Sequence, residues 1–469
     1  MIDNTENYLE DDALTLVSRF EQMIKAKVLY YFDVHEFEHI IDHYIEKSKI
    51  SEAVKVNNIA VRQHPEAISL QIRKAYLLID LNQNIEALSI LNKIQKIETT
   101  NKEIYLLKAN VYNAIGNYRK AKKQYDQALK VNIDNREDLL FRIGIAFEQL
   151  EKFDIAIEYL EEACSLNPND TESLFELAYC YEKMEEDEKS ISTYQQFLDL
   201  KPFSDNAWYN IGIIYNRNGK FEKAIDAYEF ALAINEQHGK TYYNKANSYS
   251  NLGKFEEAIK NYTEYLDYED EHAITYSNIG ECFEKLEEFD QALIYYEKSL
   301  NLDDNLPDAW FGMGLILLYQ EKIDESLVYL EKAKELDDTN SDYWLALGSA
   351  YSNMEKDTEA EQAFRNAMSL DPTDTSYAIA LAEYYHQNNN LEDAIVALME
   401  SKLTNPDCMQ ITAGLAALHM LLNDLKATEK YLRKALLSDS NSLDNIFIQF
   451  PELENNEEFR QIIQKYIAK

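Results

Sequence analysis

AWYNIGIIYNRNGKFEKAIDAYEFALAIN (Ala207–Asn235) and TYYNKANSYSNLGKFEEAIKNYTEYLDYE (Thr241–Glu269) say the same thing twice. Aligned, Trp208 meets Tyr242, Gly212 meets Ala246, Tyr215 meets Tyr249 and Ala224 meets Ala258, each at a step of 34 residues. A fixed period in this range marks a chain built by stacking one supersecondary unit on the next. Such a chain needs no single large core, because each unit buries its apolar side on its neighbours.

Outward from this pair the period holds. Numbering each unit from its first residue, a small residue recurs at position 20 from Ala53 to Thr428, and every step is 34 except the 35 between Ala121 and Ala156. The extra residue is placed in the turn near Asn135–Arg136, where an insertion costs little. Twelve units result: 34–67, 68–101, 102–136, 137–170, 171–204, 205–238, 239–272, 273–306, 307–340, 341–374, 375–408 and 409–442. Position 8 is Gly or Ala from Ala75 to Ala416, and only Ile41 in the first unit departs. Small residues at such sites allow close helix packing. Trp208, Trp310 and Trp344 share position 4, and Pro65, Pro168, Pro202, Pro372 and Pro406 share position 32, where proline stops a helix.

The spacing Trp208-x2-Ile211-Gly212-x2-Tyr215, followed by Ala224, resembles the tetratricopeptide repeat (TPR) family. The resemblance covers residues 34–442 and implies an all-α fold, a TPR α-solenoid of helix–turn–helix repeats wound as a right-handed superhelix. Helix A takes positions 1–14, a tight turn often holding glycine (Gly116, Gly219, Gly253) follows, and helix B takes positions 18–31. Phe197 and Tyr265 put rings at position 27, where Ala is usual, and are expected to shift local helix angles. Gln71 and Thr412 at position 4 mark the second and twelfth units as the weakest matches.

Solenoids need atypical end units. Residues 1–12 read as a flexible acidic lead, and 13–33 as an N-terminal capping helix with Leu16, Phe20, Met23 and Ile24 on its apolar stripe and Asp11 or Asp12 capping its start. Residues 443–469 read as C-terminal capping helices, leaving no catalytic domain after them.

Composition narrows the function. Acidic residues outnumber basic ones 84 to 46, for a net charge of −38. Such a surface repels phosphate backbones and anionic headgroups, so no nucleic-acid partner and no membrane insertion are expected, whereas basic segments of a protein are attracted. The acid also keeps a long exposed solenoid soluble, and the runs Glu185–Glu188 and Asp267–Glu271 read as solvated turns. The acidic N-terminus lacks the features of a signal peptide, no apolar run is long enough to span a bilayer, and the four cysteines form no C-x-x-C. The expected setting is cytoplasmic.

Motifs of chemistry are few. His35-Glu36-Phe37-Glu38-His39 matches H-E-x-x-H, and His43 extends that face. Yet it lies on a predicted helix A, and Asp42 and Ile45 stand where the extended zinc-protease patterns need other residues, so at most adventitious metal binding by His35 and His39 is expected. Gly312-Met313-Gly314 lies within a helix A and is no nucleotide loop. No cofactor, metal or catalytic residue is expected, and the chain reads as no enzyme.

In the TPR family, helix A positions 2, 5, 6, 9, 12 and 13 line the concave groove. Position 6 reads Arg142, Glu176, Asn210, Asn244 and Asn278 in successive units, and its three asparagines resemble the ladder that holds extended peptides in O-GlcNAc transferases. An amide can pair with any peptide unit, since it both donates and accepts. Tyr209 and Tyr243 at position 5, Asn206 and Lys240 at position 2, Asn216 at position 12 and Asn247 at position 9 complete the candidate face. Tyr209, Asn210, Tyr243 and Asn244 are read as having no packing duty. Position 5 never carries Lys, so the carboxylate clamp of chaperone-tail-binding relatives is absent. The expected function is a non-catalytic interaction scaffold that binds an extended or helical partner segment, a basic one included, near repeats 4–8. The alternative is a regulatory or substrate-recruiting subunit of a separate enzyme, secretion or assembly complex.

Overall fold

The computed structural model describes residues 3–131, 135–436, 446–447 and 449–467. Its regular elements are helices. After α1 (Asp3–Ala26) come helix pairs, from α2 (Val34–Glu46) with α3 (Ile50–Gln63) to α24 (Met409–Leu421) with α25 (Leu425–Leu436). A 3-10 turn at Pro451–Leu453 and α26 (Glu457–Ile467) follow. Contacts divide the chain into two compact units, Met1–Phe203 and Ser204–Lys469. No helix among the described residues is long and apolar enough to cross a membrane.

The pairs close in one way. The residue at position 15 takes a left-handed conformation in every repeat: Gly116, Gly219 and Gly253, but also Ser48, Asn82, Glu151, Glu185, Glu287, Glu321, Glu355, Asn389 and Asn423. The next residue then donates its N–H to the carbonyl five positions back, as Lys220 does to Tyr215 and Glu288 to Phe283, each at 2.9 Å. This is the Schellman closure, which satisfies helix-end carbonyls and needs positive φ. Glycine enters it without strain, so it alone was visible in the sequence; glutamate enters it at a cost.

Small residues sit where the helices cross. A Cβ on Gly212, Gly280 or Gly348 at position 8 would collide with the ring at position 24 of the same repeat, Tyr228, Tyr296 or Phe364. Position 20 is fully buried in every repeat. Where Ser replaces Ala there, its hydroxyl finds a carbonyl: Ser190 donates to Ala178, and Ser326 to Gly314, both at 2.7 Å. Buried hydroxyls need such partners. The large rings at position 27 are absorbed by rings at position 5, Phe197 by Phe175 at 5.3 Å and Tyr265 by Tyr243 at 5.2 Å between centroids.

The ends differ in detail from expectation. Helix α1 begins at Asp3, inside the stretch read as a flexible lead, because no Gly or Pro interrupts the chain between Asp3 and Ala26. Asp11 and Asp12 therefore lie within the helix and do not cap it. Val17, Phe20 and Met23 bury against Phe32, just before the first repeat, and Phe37, Ile40 and Tyr44 within it, while Ile24 stays exposed. At the other end Ile446, Phe450, Leu453, Phe459 and Ile463 join the core of the last repeats. Residues 443–445, 448, 468 and 469 of the expected capping segment lie outside the described residues. Asn135, beside the expected insertion, is left-handed and immediately precedes α8 (Arg136–Glu148); residues 132–134 also lie outside the described set.

Candidate partner-binding face

The candidate face of the second unit is carried by α12 (Asp205–Arg217), α14 (Gly239–Asn251) and α16 (Ala273–Lys285), the helices A of consecutive repeats. Their local sequence fixes which side is free. Ala207, Ile211, Gly212 and Ile214 turn into the core, so positions 5, 6, 9 and 12 are left half-buried on the other side.

These polar residues are not idle. Asn244 donates its side-chain N–H to the Tyr209 hydroxyl at 2.9 Å, and Asn278 donates to that of Tyr243 at 3.2 Å. Position 6 of one repeat is thereby tied to position 5 of the repeat before. The Asn216 amide oxygen accepts from Ser248 at 2.8 Å, and that of Asn247 accepts from Tyr262 at 2.5 Å. The sequence reading, which gave Tyr209, Tyr243 and Asn244 no packing duty, is corrected: they stitch consecutive repeats together. Asn210 is half-buried beside them, whereas Asn206 and Lys240 at position 2 stand exposed.

In the first unit Arg142 is largely exposed, and its guanidinium lies 3.9 Å from Asp138 one turn earlier. The following position-6 residue, Glu176, is half-buried. Burial first, then the charges of Glu148 and Glu172, push its carboxyl up to about 7. Nothing in the repeat pattern announced that perturbation, which comes first from burial and then from two carboxylates, Glu148 of the preceding repeat and Glu172 one turn earlier on the same helix.

The H-E-x-x-H stretch has other work. Glu36, which would serve as the base, completes a capping box with Asp33 at the start of α2 and accepts from Arg19 at 2.9 Å. The His35 and His39 rings stack at 6.2 Å. Among the described residues, no cluster of three His, Cys, Asp or Glu could hold a metal ion. Gly312 and Gly314 lie in α18 (Pro307–Tyr319), packed against Tyr296 and Leu330.

The sequence reading missed the acidic side chains at positions 9, 12 and 2 of repeats 8–10: Glu281, Glu284, Asp308 and Asp342 line one recess. Their clustering at groove positions was the signal available for finding them.

Comparison with known proteins agrees with this architecture. Three profiles, each for the tetratricopeptide repeat, match residues 206–238; 106–171, 141–205 and 243–309; and 307–340 and 341–374. The chain belongs to the tetratricopeptide repeat family, whose members are generally non-catalytic modules that bind other proteins or peptides. Similar solved structures include MamA, at 26% identity over 34% of this chain and 95% of that one, with a TM-score of 0.34. The Cut9–Hcn1 hetero-tetramer of APC/C matches at 15% identity over 86% and 91%, with a TM-score of 0.42. YrrB, described as a TPR protein with an unusual peptide-binding site, matches at 26% over 40% and 96%, with a TM-score of 0.32. No curated protein matches the chain.

Proposed function

We propose that this chain is a non-catalytic scaffold that holds an extended or helical segment of a partner protein along its helix A faces. The observation that carries the reading is the row of half-buried tyrosines and asparagines on α12, α14 and α16. Cross-repeat hydrogen bonds hold these side chains at fixed spacing before any partner arrives, which lowers the ordering cost of binding. The Asn244 amide spends one N–H on Tyr209 and keeps its oxygen for a peptide N–H. Tyrosine is enriched in the buried centres of interfaces. Asn206, Asn210, Asn216, Lys240 and Asn247 flank the row, and Arg142 offers a cation on the first unit. A cytoplasmic setting completes the reading.

The test is affinity purification of the full chain from its own cells, with partners identified by mass spectrometry. It is run beside two variants, one carrying Asn206→Ala, Asn210→Ala and Lys240→Ala, the other carrying Glu222→Ala and Lys260→Ala on exposed helix B positions. The expected result is a specific partner that the first variant loses and the second keeps. A partner kept equally by both would overturn the assignment of the face.

A further inference from the structure

Helix A faces carry recesses at matching repeat positions. In the first unit, one of about 660 Å³ is lined by Glu38 and Asp42 of the first repeat, Ile72 and Arg73 of the second and Glu103 of the third. In the second unit, one of about 280 Å³ is lined by Glu281 and Glu284 of the eighth repeat, Asp308, Phe311 and Leu315 of the ninth, and Asp342 of the tenth. Both are apolar-floored and acid-rimmed.

They differ at position 6 of the middle repeat. In the first recess Arg73 stands there, and its guanidinium takes both Asp42 oxygens in a fork, Nη2 to Oδ2 at 3.0 Å, with Glu38 4.0 Å away. The recess supplies its own cation. In the second, position 6 is Gly312, so no side chain reaches from that place into the acid rim. A Cβ on Gly312 would strike the Tyr296 ring, whose hydroxyl donates to Glu284 at 2.8 Å.

Three carboxylates of the second recess, Glu284, Asp308 and Asp342, are held by tyrosines. Besides Tyr296, Tyr343 donates to Asp308 at 2.6 Å and Tyr377 donates to Asp342 at 2.9 Å. A hydroxyl donor fixes a carboxylate in place but leaves its charge, unlike a guanidinium. The cation lining this recess, Lys285, is half exposed and 4.0 Å from Glu284. Burial, the largest influence on Glu284, raises its carboxyl above the usual range, as expected of a charge short of compensation.

The geometry points to this recess as the seat of an arginine side chain presented by a partner segment, with an adjacent apolar residue of that segment resting on Phe311 and Leu315. The inference rests on the scaffold reading and names the chemistry of its partner. Arginine fits the site because its planar fork matches carboxylates in pairs, as Arg73 does in the first recess.

The test uses fluorescein-labelled peptides of alternating Arg and Leu, alternating Ser and Leu, and alternating Glu and Leu, titrated with the full chain and followed by fluorescence anisotropy. Circular dichroism confirms that each variant keeps its helical signal. The Arg–Leu peptide is expected to bind, to weaken about tenfold with Asp308→Asn plus Asp342→Asn, and to be lost with Leu315→Arg, which supplies an internal cation. A control carrying Glu222→Gln and Glu256→Gln on helix B is expected to bind as the natural chain does. Equal weakening in that control would show diffuse attraction and overturn the inference. If the Ser–Leu peptide bound as tightly and were also lost with Leu315→Arg, the arginine assignment would fall while the scaffold reading stood. If no peptide bound, the inference would fall and the scaffold reading would be decided by the partner-recovery experiment.

Discussion

Asn244 donates a side-chain N–H to the hydroxyl of Tyr209, 35 positions earlier, at 2.9 Å. The pair joins the helices A of two repeats, so a side chain on the proposed binding face also contributes to stacking.

Breaking that pair should therefore cost stability. Asn244→Ala is expected to destabilise by about 1 kcal/mol, the net worth of a partly buried hydrogen bond. In a double-mutant cycle with Tyr209→Phe, measured by urea unfolding, the coupling energy should be about 0.5–1.5 kcal/mol. Additive losses would show that the contact does not stabilise the stack.

The left-handed turns offer the opposite experiment. Glu287→Gly, Glu321→Gly and Glu355→Gly should each stabilise by about 0.5–1 kcal/mol, because glycine relieves the Cβ strain of positive φ at some cost in chain entropy. Gly219→Ala should destabilise by about 1 kcal/mol, the reverse of the same balance. Shifts of the urea midpoint in these directions, at unchanged slope, are the readout.

Tyr228 and Tyr262 occupy the same repeat position with different fortunes. The Tyr262 hydroxyl donates to Asn247, whereas the buried Tyr228 hydroxyl has no hydrogen-bond partner among the described residues. Position 9 holds Ile213 in the repeat of Tyr228, so the acceptor is missing. Tyr228→Phe is expected to be neutral or stabilising by up to about 1 kcal/mol, and Tyr262→Phe to destabilise by about 1 kcal/mol. A larger loss at Tyr228 than at Tyr262 would contradict this.

Glu176 sets a dependence on pH. Its folded carboxyl titrates at about 7, against an ordinary value of 4.5. Between those values the folded chain holds a proton that the unfolded chain releases, so stability falls as pH rises through that window and the full penalty is present above it. Glu176→Gln should thus raise the melting temperature at pH about 8 and leave it nearly unchanged at pH about 4.5, the gain being up to about 1 kcal/mol once solvent screening is allowed for. An equal gain at both pH values would show that charge is not the cause.

The fold was legible because packing records itself as size. Gly212 lies under Tyr228, and Ala224 and its counterparts fill the helix crossing, so a large residue at either place is penalised and the period survives in the sequence. The candidate site was legible only as a set of positions. A hydrogen bond from Asn278 to Tyr243 leaves no trace of volume, and it joins positions 6 and 5 of different repeats, so the alignment that reveals the period hides the pair. Glu287 in a left-handed turn was equally silent, since nothing about glutamate suggests positive φ. The acid-rimmed recess of repeats 8–10 depends on what is absent at Gly312 as much as on what surrounds it, and only comparison with Arg73 makes that absence meaningful.

The uniform closure of the turns makes the repeats exchangeable as cassettes. Excising Lys220–Gly253 would join Gly219 to Lys254, recreating the Asn-Gly-Lys-Phe of residues 218–221, of which Gly-Lys-Phe already stands at both places. The left-handed joint would re-form, and Tyr209 would meet Asn278 in place of Asn244, an asparagine for an asparagine. Whole-period deletion or duplication is thereby a route by which the length of this chain can change in evolution or design without a new junction having to be invented.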